Sequence, residues 1–154
     1  MDDSDIRAQG YPELLSAEEL WDAFIGPRLD PYIGEHVFEV ACRQFVGSSR
    51  HPGLPFRAAR VGSWWAEDAS DEVDVVAVDG SGGVLFGECK WGSVAREDLQ
   101  KLERRANLIL PNLKGVRTVT LALFSAGRIA DTVVQERVDA GEVLYFSADD
   151  LFAA

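Results

Sequence analysis

The chain has 154 residues, 47% of them hydrophobic, and a formal net charge of −11. That is enough for one well-packed domain and too little for two. No stretch approaches the roughly 20 apolar residues of a membrane span, and an excess of acid over base counts against indiscriminate binding to nucleic acid. Two cysteines, Cys42 and Cys89, indicate no disulfide framework. With only His36 and His51 beside them, a structural zinc site is not expected. The acidic start of the sequence lacks the basic and apolar regions of a signal peptide, so a cytoplasmic protein without a membrane partner is expected.

In chain order, residues 1–30 read as an N-terminal helical extension. The pattern Ser16-Ala17-Glu18-Glu19 is a capping box, and Leu20, Trp21 and Phe24 give the short helix after it an apolar side. The main domain is expected over 31–154. It opens with a helix over 31–46, striped by Val37, Phe38, Ala41 and Phe45. A loop follows, then strand character over 56–65.

Residues 73–78 and 84–86 read as strands covered on both faces, and Asp79-Gly80-Ser81-Gly82-Gly83 between them has turn composition. Pairing symmetric about Ser81 sets Val76 against Phe86 and Asp74 against Glu88. Glu88 and Lys90, two apart, would share the face that carries Asp74. Directly opposed like charges are destabilising, so two carboxylates and an ammonium on one face point to a divalent cation. Cys89 would face the other way and pack. Leu99, Leu102, Ala106 and Ile109 give a helix over 96–110 an inward stripe, with Lys101, Arg104 and Arg105 on its outer side and Pro111 closing it. A buried strand over 116–124, a helix over 128–140 and a last strand over 143–146 complete an α/β arrangement around a mixed sheet.

This order resembles the PD-(D/E)XK nuclease-like superfamily, the restriction-endonuclease-like fold, and implies its αβββαβ core. Asp74 matches the motif Asp, Glu88-Cys89-Lys90 the Glu-x-Lys, and Glu39 the Glu of the first helix; Val73 stands where the family has Pro. A closer likeness is to the C-terminal nuclease-like domain of archaeal-type P-loop ATPases. It is carried by Tyr32-Ile33-Gly34, Phe38-Glu39, Gly62-Ser63-Trp64-Trp65, Glu72-Val73-Asp74 and Phe86-Gly87-Glu88-Cys89-Lys90-Trp91. The resemblance implies a Mg²⁺ site, with Mn²⁺ as substitute, formed by Asp74, Glu88 and the Cys89 carbonyl with Glu39 at its edge. Mg²⁺ suits such oxygen donors. Lys90 would orient the nucleophile or stabilise developing charge, and Gln100 matches a polar position on the following helix.

The expected activity is hydrolysis of phosphodiester bonds in DNA, less readily RNA, with Gln100, Lys101 and Arg104 toward the substrate. The alternative is an inactive nuclease-fold module serving protein contacts or ATPase regulation, which the acidic charge favours. No G-x-x-x-x-G-K-[ST] run is present, so ATP hydrolysis would belong to a partner or parent chain. A homodimer is left open. Each candidate also has a plainer reading: Glu72 and Asp74 as an exposed strand start, Glu88 and Lys90 as a surface pair, Glu39 as a solvated helix carboxylate, and Trp64 and Trp65 as core aromatics.

Overall fold

A computed structural model describes residues 16, 19, 31–48, 51–68 and 70–153. Of the expected N-terminal extension, only Ser16 and Glu19 fall within that range, and they form the capping box. The Ser16 amide donates to the Glu19 carboxylate and the Glu19 amide to Ser16 Oγ. The helix proposed after it lies outside the described residues.

The domain runs α1 (Pro31–Ser48), β1 (Arg60–Trp65), β2 (Glu72–Val78), β3 (Gly83–Lys90), α2 (Arg96–Ile109), β4 (Thr118–Ser125), α3 (Thr132–Asp139), β5 (Leu144–Ser147) and α4 (Ala148–Phe152). The strands form one mixed sheet in sequence order. β1, β2 and β3 pair antiparallel, while β3, β4 and β5 pair parallel. The fold is mixed α/β, with helices flanking a five-stranded sheet, as expected. Among the described residues no helix is long and apolar enough to cross a membrane.

Two apolar cores sandwich the sheet. Phe38, Cys42 and Phe45 of α1 pack on Val75, Ala77, Leu85, Cys89 and Phe124, with Phe146 and Leu151 completing that layer. On the other side Leu99, Leu102 and Ala106 of α2, with Val134 of α3, pack on Val73, Phe86 and Leu123. β3 is buried almost end to end, as a central strand covered on both faces must be. On the α1 side Gly87 allows a close approach, for a Cβ there would lie 2.8 Å from the Phe124 ring.

The β2–β3 register is symmetric about Ser81: Val78 faces Val84, Val76 faces Phe86 and Val75 faces Gly87. The Asp79 carboxylate accepts from the Ser81 and Gly83 amides and so fixes the turn. Against β1 the register slips by one. Gly62 faces Val76 but Trp64 faces Val73, so Asp74 and Val75 together stand opposite Ser63. This β-bulge breaks the period of two. It explains how Val73 packs under α2 while Val75 and Ala77 pack under α1.

Several boundaries differ from the sequence expectation for local reasons. β1 begins at Arg60, after turns rather than strand. The helix expected from 128 begins at Thr132, because Val94 pairs with Ile129 and bonds with Arg128 and Ala130 in extended geometry. Asp131 then caps the helix by accepting from the Val133 and Val134 amides. α4 was not anticipated; its signal is the Ser147–Asp150 capping box.

Candidate functional site

The bulge aims the acids. Glu72 and Asp74 leave β2 on the side of α1, where Glu39 comes down from the helix. One carboxylate oxygen from each of Glu39, Glu72 and Asp74 lies within 4.8 Å of the others. The three line a cleft of about 330 Å³ whose walls are Glu35, His36 and Arg43 of α1 and Ser63 and Trp65 of β1. A divalent cation could be held by this set, since hard cations take carboxylate oxygens.

Asp74 is 4% exposed and held from two directions. Its carboxylate accepts from the Cys89 amide at 2.9 Å, and its carbonyl accepts from Arg43 Nη1 at 2.9 Å. Arg43, one turn after Glu39 on α1, therefore pins the backbone of the bulge. Burial pushes the Asp74 carboxyl up to about 6; the Cys89 amide opposes that rise and Glu72 adds to it. Burial likewise raises Glu39 to about 7, with Asp74 and Glu72 contributing. Carboxylates raised by burial and by one another are what a cation would relieve.

Glu88 and Lys90 go the other way. Leu85 and Cys89 of β3 pack under α1, while Val84 and Phe86 pack under α2, so Glu88 and Lys90 project toward α2. Glu88 lies 3.9 Å from Lys101 Nζ and 3.7 Å from Arg105 Nη1, and its buried Oε2 has no hydrogen-bond partner. Burial, then the nearby Asp74 charge, raises its carboxyl to about 8, against Lys101 and Arg105. Lys90 Nζ stands 3.7 Å from Asp98, whose carboxylate also accepts from the Ala95 amide at the start of α2.

The expected residues thus divide. Asp74 and Glu39 come together, joined by Glu72, which belongs to the Glu72-Val73-Asp74 likeness but not to the expected site residues. Its signal was its spacing of two from Asp74. The expected common face for Asp74, Glu88 and Lys90 is corrected by the bulge: Glu88 stands outside the group of three donors. Cys89 meets Asp74 through its amide, while its thiol packs in the core beside Cys42 and is held well above its ordinary pKa, chiefly by burial. Gln100 and Arg104 are exposed on α2, and neither they nor Lys101 line the cleft. Lys101 and Arg105, expected on the outer side of α2, instead reach Glu88. Arg105 Nε also donates to Asp71 at 2.8 Å. Trp64 packs on the core under α2, as the plainer reading held.

The model of the DUF234 family, described as archaeal and bacterial proteins of unknown function, matches residues 7–102. The match takes in α1, the first three strands and the start of α2, and so every acid of the cleft and the Glu88-Cys89-Lys90 run. No curated protein and no solved structure matches the chain.

Proposed function

The chain belongs to the DUF234 family, and we propose that its cleft is a Mg²⁺ centre for phosphodiester hydrolysis in nucleic acid, DNA before RNA, in a PD-(D/E)XK-like domain. The observation that carries this reading is the approach of Glu39, Glu72 and Asp74 from two elements to within 4.8 Å in an open cleft. Mg²⁺ typically takes one or two carboxylates and leaves its remaining positions to water and substrate phosphate. Bound there, the cation supplies polarisation of a phosphoryl oxygen and acidification of water.

The chain's own residues do the rest. The Cys89 amide and Arg43 orient Asp74 from opposite ends of the residue. Glu39, whose carboxyl burial raises to about 7 without a cation, would give up its proton on joining the ligands of the cation. Lys90 pairs with Asp98 on the α2 side of the sheet and does not line the cleft.

Cleavage of labelled single- and double-stranded DNA and RNA, with Mg²⁺ or Mn²⁺, is the test. Asp74→Ala should lose both cation binding and cleavage. Lys90→Ala should keep the cation, because an ammonium is no ligand and Lys90 does not line the cleft. Cleavage that persists in Asp74→Ala would reject this centre.

A second reading is a nuclease-fold module without activity that serves a protein partner, such as a P-loop ATPase. The pairing of Lys90 with Asp98, and of Glu88 with Lys101 and Arg105, favours it, since these charges are engaged by α2. Wild type that binds Mg²⁺ yet leaves every substrate intact would select this reading.

A further inference from the structure

Trp65 is 58% exposed, the largest apolar side chain left open to solvent among the described residues. Its neighbour Trp64 packs into the core under α2. Strand alternation turns Trp65 to the other face, where it and Ser63 form one wall of the acidic cleft. It also stands directly across the β1–β2 ladder from Glu72, one of the three cation donors. Residues opposed in this way have Cβ atoms roughly 4.5–5.5 Å apart, so the indole flanks the donor set. β1 is the outer strand of the sheet, so approach to this wall is not blocked by another strand.

We propose that Trp65 is a stacking platform for the base of an unpaired nucleotide whose phosphate reaches a cation held by Glu39, Glu72 and Asp74. This rests on the reading of the cleft as a cation centre and adds the substrate class. Single-stranded nucleic acid offers both features together, an open π face and a phosphate next to it. In a duplex the bases are stacked on one another and their faces are closed to the indole.

The charges of the cleft require the same arrangement. Glu35, Glu39, Glu72 and Asp74 outnumber Arg43 and His36, and the Arg43 guanidinium is already bound to the Asp74 carbonyl. A phosphate is repelled unless a divalent cation bridges it to these carboxylates. Association is therefore strictly cation-dependent. With so few basic contacts, it also loses little to added monovalent salt.

The experiment follows a labelled oligothymidylate and a labelled oligouridylate by fluorescence anisotropy, beside a duplex of equal length. Ca²⁺ replaces Mg²⁺ to keep the strands intact, and calorimetry measures Ca²⁺ uptake separately. Wild type should bind both single strands in Ca²⁺, lose them in chelator, and hold the duplex more weakly. Trp65→Ala should weaken single-strand binding about tenfold to a hundredfold, while Trp65→Phe keeps most of it and Ca²⁺ uptake is the same in all three. Single-strand binding unchanged in Trp65→Ala would overturn the platform. So would wild type that takes up Ca²⁺ but no single strand, or that binds the duplex as tightly. Wild type that takes up no Ca²⁺ would instead overturn the cation centre, and the platform with it.

Discussion

The Cys89 amide donates to the Asp74 carboxylate at 2.9 Å, one step beyond the last regular pair of the β2–β3 ladder, Val75 with Gly87. A side chain here satisfies a buried backbone donor just where the bulge carries Asp74 toward α1. Asp74 thus has two tasks, one structural and one toward the cation, and they can be separated. Asparagine keeps the acceptor and drops the charge, whereas alanine drops both. In chelator at pH 8, Asp74→Asn should melt above wild type, because it removes a charge that raises both Glu39 and Glu88. Asp74→Ala should be less stable than Asp74→Asn by about 1–3 kcal/mol, the cost of an unmet buried donor. Equal melting of the two variants would rule out the structural task.

Stability without metal should fall as the pH rises. The folded-state pKa values of Glu39, Asp74 and Glu88 are raised to about 7, 6 and 8 from 4.5, 3.8 and 4.5. The folded chain therefore holds more protons than the unfolded chain between about pH 4 and pH 8, and the stabilisation present below that window is lost across it. Asp68, Asp79 and Asp131 are shifted downward, so their contribution is lost only as the pH falls below about 4. Urea unfolding across this range in chelator should show a maximum near pH 4. A curve that rises steadily from pH 5 to pH 8 would contradict the assigned burial of these three acids.

Cation binding should release protons. Near pH 7 Glu39 is about half protonated, and an incoming cation must displace what its ligands hold. Apparent affinity for Mg²⁺ or Mn²⁺ should increase from pH 6 to pH 8. Calorimetry in two buffers of different protonation enthalpy should give different heats. At a hundredfold excess over Kd the stabilisation is about 2.7 kcal/mol, read as a raised Tm. Glu72→Gln should reduce it, since Glu72 supplies one of the three oxygens. Heats that do not depend on the buffer would argue against displacement of protons from this set.

Arg105 supports Glu88 and Asp71 at once. Its removal leaves Glu88 buried beside Asp74 with only Lys101 nearby and breaks the hydrogen bond to Asp71. Arg105→Ala should therefore cost about 1–2 kcal/mol at pH 8, where Glu88 is half charged, and more at pH 9. The loss should shrink toward pH 5, where Glu88 takes a proton. Glu88→Gln in the same chain should recover part of it, so the two changes are not additive. Strict additivity at pH 8 would mean that Arg105 acts through Asp71 alone.

Much of this protein is fixed by local sequence, and the physical reasons are local too. The turn residues 79–83 and the period of two set the register about Ser81, and the apolar spacing of Leu99, Leu102 and Ala106 set the inward face of α2. These determined the order of elements and the mixed sheet. What the sequence could not carry depends on partners distant along the chain. The bulge exists only because β1 pairs one residue out of step between Gly62 and Trp64, and it sends Asp74 to one side of the sheet while Glu88 leaves on the other. Whether Lys101 and Arg105 meet solvent or Glu88 depends on how α2 is seated over the end of the sheet, which helical period alone does not define. Glu72 becomes a donor, and Trp65 a wall of the cleft, only once α1 has closed over the start of β2. A hairpin's own register is a property of its turn, but the face an acid finally presents belongs to the whole sheet and the helices packed on it.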